Sequence, residues 1–289
     1  MSDLGRRVAL AVFLGTAALG ALPANGSLRI VTSFYPIYIA ALNVAGGVPG
    51  VEISSMTKPS AGCLHDYQFT TEDLLAVSKA DVLVINGAGM EPFVDKIKAS
   101  QPSLPIIDAS QGIALLRDSS GENPHVWVSV SLAEKQVENI AAGLAGCDPK
   151  HATDYQRNAD AYVRKLEALK QEIAAGLAHV RSRDIVTFHQ AFAYLAKEFG
   201  LNVVGVIERE PGSEPSAREM AATIDLIRRT SVRAVFTEPQ YPAKSAEAIA
   251  RETGVALFVL DPAVTGPMEA DAYLKIMEEN LRELQKALK

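Results

Sequence analysis

One unbroken amphipathic stretch divides this chain in two. From about Ala152 to Arg181 (ATDYQRNADAYVRKLEALKQEIAAGLAHVR) it contains no proline and a single glycine, and Tyr155, Ala159, Tyr162, Leu166, Leu169, Ile173 and Leu177 recur three or four residues apart. That spacing sets an apolar stripe against a charged face, which predicts one helix of nearly thirty residues, roughly 45 Å long. On either side of it, short β-branched runs alternate with amphipathic ones, as in parallel sheets with crossover helices. Strands are expected at Leu28–Phe34, Val51–Met56, Asp81–Asn86, Leu104–Asp108 and Val126–Val130 before the helix. After it they are expected at Asp184–Phe188, Val203–Ile207, Ala234–Thr237 and Ala256–Leu260. The expected fold class is α/β, with two open parallel-sheet lobes, residues 25–150 and 183–289, joined by a rigid helix over 151–182. Such a strut permits small tilts rather than wide hinge closure.

The chain's 289 residues are ample for two buried cores. At 48% hydrophobic and 21% charged, it is neither a disordered polymer nor a multi-span membrane protein. The formal charge of −6, without a Lys/Arg-rich run, argues against nucleic acid or an anionic membrane surface as the main partner. Small neutral or cationic ligands remain. Arg6 and Arg7, the apolar run from Val8 to Leu22, and the small residues Ala21 and Ala24 form the pattern of a secretory signal peptide over residues 1–24. The run is short for a membrane span, and it has no cysteine at its end to carry a lipid. Export makes a disulfide between Cys63 and Cys147 chemically allowed. Cys63, two residues before a histidine, can equally be read as a buried thiol or a metal ligand.

Five histidines are present. His151 stands beside the start of the long helix and His179 in its last turn, where a histidine is expected to cap the helix or face solvent. His65 (GCLHDY), His125 (ENPHVW) and His189 (TFHQAF) instead fall where expected strands begin or end, and Asp261 (VLDPAV) leaves the last strand. In open α/β sheets ligands gather outside the carboxyl ends of the strands. Three imidazoles and a carboxylate make a tetrahedral set for a borderline divalent ion, the metal site expected in the cleft between the lobes. The bland alternative is four capping or core residues that never meet. No nucleophile elbow, Walker loop, H-E-x-x-H helix or complete dinucleotide fingerprint occurs. Glu208, Glu210, Glu214 and Glu238 are candidate general bases for a secreted metal-dependent hydrolase built on the same ligands. Glu238 (FTEPQY), at a strand end, is also the first candidate for an additional or substitute ligand, against its reading as a solvated loop carboxylate.

The ordered set SFYPIYIAALNVAGG, GCLHDYQFTTEDL, DVLVINGAGMEPFVDKI, NPHVWVSV, TFHQAFAYLAKEFGL, FTEPQY, ETG and LDP resembles the zinc- and manganese-binding solute-binding proteins of bacterial ABC transporters, the cluster A-I or cluster 9 group. The resemblance covers nearly the whole chain after the signal segment. It implies two α/β lobes, a rigid linking helix, one transition-metal ion between the lobes, a periplasmic location and delivery of the ion to a membrane permease. By position it implies His65, His125, His189 and Asp261 as the metal ligands. A histidine at the third of these positions resembles the zinc-type sites, where a glutamate looks like the manganese type. Zinc is thus favoured, with manganese or iron as alternative cargo. Three departures stand out: residues 111–124 lack the histidine-rich loop of many zinc members, QFTTEDL replaces a proline-rich stretch, and Asn123 stands where an acidic residue is usual. The expected function is capture without catalysis by a monomer. An extracellular adhesin is a further reading.

Overall fold

The computed structural model describes residues 27–65, 67–118, 121–208, 214–230 and 232–289. The expected signal segment, residues 1–24, lies outside the described residues, as does Glu210. The first lobe runs β1 (Leu28–Thr32), α1 (Tyr35–Ala45), β2 (Val51–Ser55), α2 (Thr71–Ser78), β3 (Val82–Ile85), α3 (Val94–Ser100) and β4 (Ile106–Asp108). A two-stranded antiparallel ribbon, β5 (Arg117–Asp118) and β6 (Gly121–Glu122), and α4 (Val130–Cys147) complete it. The long helix α5 (Ala152–Gly176) follows. The second lobe runs β7 (Asp184–Thr187), α6 (Ala193–Phe199), β8 (Asn202–Val206), α7 (Ala217–Arg229), β9 (Ala234–Thr237), α8 (Lys244–Thr253), β10 (Ala256–Val259) and α9 (Ala272–Ala287).

Each lobe holds a four-stranded parallel sheet, ordered β2-β1-β3-β4 in the first and β10-β9-β7-β8 in the second. In both, parallel pairing follows from apolar strands whose chains return through helices. β3 and β9 are buried along their whole length, as strands covered on both faces must be.

The α5 stripe read from sequence is the buried face: Tyr155, Ala159, Tyr162, Leu166, Leu169 and Ile173 are all inside. This face packs on α1 and α4 of the first lobe and on α9 of the second. The helix stops at Gly176, five residues before the expected end. Arg183 Nη2 takes the Leu177 carbonyl at 2.8 Å, and the Arg181 amide bonds the Leu288 carbonyl at 2.8 Å, so the chain turns toward the end of α9. A side chain at Gly176 would place its Cβ 2.8 Å from Leu281 Cδ1 and Gln285 Nε2, so the glycine is what lets α9 approach so closely.

Residues Val126–Val130, expected as a strand, form instead a 3₁₀ turn over Val126–Val128 followed by the start of α4. Ser129 decides this locally, its side chain accepting from the Leu132 amide at the helix N-terminus. All five residues are buried, so an apolar run gave no hint of which element held it. The Ser216 to Glu219 capping box expected at the head of α7 is present.

The main apolar core is continuous through both lobes, from Ile30, Leu83 and Trp127 to Ile185, Phe236 and Leu284. Polar ties cross between the lobes too. Trp127 Nε1 donates to the Pro262 carbonyl at 2.7 Å, Tyr273 Oη donates to the Trp127 carbonyl at 2.8 Å, and Ser129 Oγ donates to Glu198 at 2.7 Å. Apolar and polar contacts together join the lobes. Among the described residues no helix is long and apolar enough to cross a membrane.

Candidate metal centre

Three loops bring side chains to the seam between the lobes. The first leaves β2 and carries Cys63 and His65. Its exit into α2 is fixed by a capping box in which Asp73 Oδ2 accepts from the Thr70 amide at 2.7 Å and Thr70 Oγ1 accepts from the Asp73 amide at 3.2 Å. Tyr67 Oη also donates to Asp73 at 3.0 Å. The QFTTEDL stretch therefore anchors the loop by hydrogen bonds where a proline-rich one would stiffen it.

The second loop carries His125. Asn123 Oδ1 accepts from the His125 amide at 3.0 Å and lies 2.9 Å from His125 Nδ1. An amide oxygen already receiving a backbone N–H is an acceptor, so Nδ1 carries the proton and Nε2 presents its lone pair. Asn86 steadies the same loop: its Nδ2 donates to the Pro124 carbonyl at 3.0 Å while Gln136 Nε2 donates to Asn86 Oδ1 at 2.9 Å.

The third loop leaves β7 and carries His189. Here Nδ1 lies 2.5 Å from Glu238 Oε1, and the same oxygen accepts from the His189 amide at 3.2 Å. A carboxylate only accepts, so this imidazole also protonates Nδ1 and turns the Nε2 lone pair outward. Glu238 is 3% exposed. It is neither a solvated loop carboxylate nor a member of the donor cluster described next; it orients a histidine.

The three rings converge. His65 Nε2 is 3.0 Å from His125 Nε2, and His189 Nε2 is 3.2 Å from His125 Nε2. Cys63 Sγ is 3.7 Å from His189 Nε2. Cys63, His65, His125 and His189 each offer one donor atom within 4.8 Å of all the others. At His125 and His189 these atoms are lone pairs facing each other at close range, an arrangement that repels unless a cation sits among them. Burial, and then the neighbouring His189 and His65, hold the His125 pKa well below 6.5. His125 is thus neutral and ligand-ready at neutral pH.

Of the four expected ligands, the structure brings His65, His125 and His189 together. Asp261 is not in the group. Its Oδ1 accepts from Gln240 Nε2 at 2.9 Å and from the Ala263 amide at 2.8 Å. Burial raises its carboxyl above the usual range, with those hydrogen bonds opposing the shift. It also lines a groove of about 530 Å³ between β10 and α9, beside Lys275 and Glu279. Cys63 and Cys147 form no disulfide, so that alternative is not realised. His151 bonds Asp148 at 2.7 Å, His179 is exposed, and Glu214 is exposed, all apart from the cluster. Glu208 is buried past the end of β8. The orienting residue Asn123 was readable only as an oddity before Pro124-His125.

Set against known proteins, residues 30–287 match the family described as ZnuA, zinc-uptake complex component A, periplasmic. The chain belongs to the ZnuA family. It is 30% identical over 285 residues to the zinc-binding lipoprotein AdcA of Streptococcus pneumoniae serotype 4, a match covering 91% of this chain but 56% of AdcA. The chain thus spans about half the length of that relative. With the high-affinity zinc uptake system protein ZnuA of Bacillus subtilis it shares 30% identity, covering 98% of this chain and 97% of that one. Among solved structures, FpvC of Pseudomonas aeruginosa in complex with Mn2+ superposes with a TM-score of 0.83 at 33% identity, covering 91% of this chain and 98% of FpvC. The ZnuA family is one of transport-associated binding proteins, and its two-lobed architecture with a long helix is the one found here.

Proposed function

We propose that this protein captures one divalent transition-metal ion outside the cytoplasm and delivers it to the permease of an ABC transporter, with zinc the favoured cargo over manganese or iron. The observation that carries the proposal is the convergence of three imidazole Nε2 atoms at 3.0 and 3.2 Å, with two tautomers set by Asn123 and Glu238. A divalent ion at about 2.0 to 2.1 Å from each nitrogen converts that repulsion into three bonds. Zinc-named relatives match along the chain, and neutral imidazole suits zinc better than the oxygen-rich sites manganese prefers.

Capture and release follow from where the ligands stand. His65 and His125 belong to the first lobe and His189 to the second, so a small tilt at the seam changes the distance between these donors. Docking on the permease supplies that tilt. His125 and His189 are 2% and 1% exposed while Cys63 and His65 are half-buried, so the ion is shielded from bulk water chiefly on the His125 and His189 side. The signal segment routes the chain to the periplasm, where it works as a monomer.

The protein performs no catalysis in this reading. A hydrolase needs a free base beside the ion, and Glu238, the carboxylate that touches the His189 ring, is committed to Nδ1. The test is metal analysis of chelator-stripped protein reloaded with an equimolar mixture of zinc, manganese and ferrous ions. The expected result is about one equivalent bound, mostly zinc, and loss of binding in His125→Ala. Equal retention by wild type and His125→Ala contradicts the proposal.

A further inference from the structure

We infer that Cys63 supplies a fourth donor, a thiolate, in place of the Asp261 carboxylate, and that this makes the site selective for thiophilic ions. The inference rests on the metal-capture reading above and specifies its ligand set.

The distances carry it. Bonds of about 2.05 Å to nitrogen and about 2.3 Å to sulfur give a zinc tetrahedron with N···N edges near 3.3 Å and N···S edges near 3.6 Å. Here the N···N separations are 3.0 and 3.2 Å and the Cys63 Sγ to His189 Nε2 separation is 3.7 Å. Three of the six edges therefore already stand close to tetrahedral spacing, and all four donors lie within 4.8 Å of one another. Asp261 is not among the donors that lie within 4.8 Å of one another, and its Oδ1 receives two hydrogen bonds.

The surroundings of Cys63 suit a thiolate. The Tyr241 phenol lies against this loop, its oxygen 3.2 Å from where a Cβ at the neighbouring Gly62 would stand. Tyr241 is held in place by stacking on Phe188, centroids 5.9 Å apart at 11°, and by an edge-on contact with His189 at 6.1 Å. A phenol O–H can only donate to a sulfur anion, so a phenol beside this loop suits the charged form once metal binds. Gly62 has φ +75, so the glycine is what lets the loop reach this position. On binding, the Cys63 thiol gives its proton to solvent and the S–H bond is replaced by a sulfur–metal bond. Three neutral imidazoles, one thiolate and M²⁺ leave a net charge of +1. Soft sulfur strengthens binding of zinc and cobalt much more than of manganese, which prefers oxygen.

The test uses the whole chain, stripped of metal under a phosphine reductant and titrated with Co²⁺ alone. Wild type is expected to bind one equivalent and to develop a near-ultraviolet sulfur-to-cobalt charge-transfer band. Cys147→Ser keeps the band, since the chain has two cysteines and only Cys63 joins the cluster. Cys63→Ser, with Cys63→Ala as a second variant and circular dichroism confirming the fold, binds Co²⁺ through the histidines without the band. Its preference for Zn²⁺ over Mn²⁺ falls at least about ten-fold. Asp261→Asn keeps the band. One equivalent bound by wild type with no band overturns the assignment of Cys63 while leaving metal capture standing. So does loss of binding in Asp261→Asn with Cys63→Ser unaffected. No stoichiometric Co²⁺ binding by wild type overturns the capture reading and this inference with it.

Discussion

Replacing Glu238 by glutamine should separate metal affinity from folding stability. The carboxylate is 3% exposed, its Oε1 sits 2.5 Å from His189 Nδ1, and its Oε2 has no hydrogen-bond partner among the described residues. Glutamine keeps the shape and an oxygen to accept from Nδ1, but removes the negative charge that makes the imidazole a better donor to a cation. Loss of such an outer partner weakens metal binding about 10- to 100-fold, or about 1.4 to 2.7 kcal/mol. Folding responds much less, because glutamine removes a buried charge but puts amide N–H donors where Oε2 has no partner, two effects of opposite sign. Metal-free Glu238→Gln should unfold at a urea midpoint close to that of wild type. Its stabilisation by excess zinc should shrink by about 1.4 to 2.7 kcal/mol, in step with the weaker affinity. Competition against a chromophoric chelator, paired with urea unfolding of the stripped protein, reads both quantities. An affinity within about two-fold of wild type refutes the orienting role. A loss beyond about 1000-fold refutes it too, since that places the carboxylate on the ion itself.

Three further outcomes are expected. Asn123→Ala removes the acceptor of His125 Nδ1 and the donor to the Gln190 carbonyl at 2.8 Å, and should weaken zinc binding about ten-fold in the same competition assay. Leu166→Ala, at a fully buried position on α5, should lower the unfolding free energy by about 2 to 5 kcal/mol in urea with an unchanged slope. Burial pushes the Glu91 carboxyl up to about 7, against hydrogen bonds from Ser33, Asn86 and Gly87, so the folded state holds this proton more tightly than the unfolded chain does. The stability Glu91 contributes is complete below its unfolded pKa of about 4.5 and is lost as pH rises through about 7, a difference of roughly 3 kcal/mol. Denaturation of wild type and Glu91→Gln at pH 4.5 and pH 8 should show the gap between them change by that order in favour of the variant at high pH.

The fold was legible where one periodicity dominated. The α5 stripe from Tyr155 to Ile173 could face only one way, and the strands at Leu28, Val82 and Ala234 announced themselves by β-branched runs between turn residues. Val126 to Val130 was misread because a segment buried on every side has no polar face to reveal its period, and the deciding residue, Ser129, acts through one hydrogen bond. The three histidines could be singled out because His125 and His189 stand at expected strand boundaries and His65 follows an expected strand, and the structure brings their rings together. The roles of Cys63, Glu238 and Asp261 were not legible in that way. Whether a thiol or carboxylate touches an ion, orients a ligand or stands beside the site is settled by two or three ångströms of loop geometry. For Asp261 that geometry includes Gln240, twenty-one residues away in the chain. Asn123 illustrates the same limit: its neutral side chain orients His125, and only the bond to Nδ1 reveals it.

Anomalous diffraction from crystals of the metal-stripped protein soaked in one equivalent of zinc, collected on both sides of the zinc absorption edge, addresses the central claim most directly. The account expects a single strong peak at the seam of the lobes, about 2.0 to 2.1 Å from Nε2 of His65, His125 and His189. A peak bonded to fewer than two of those nitrogens, or none at the seam, contradicts it.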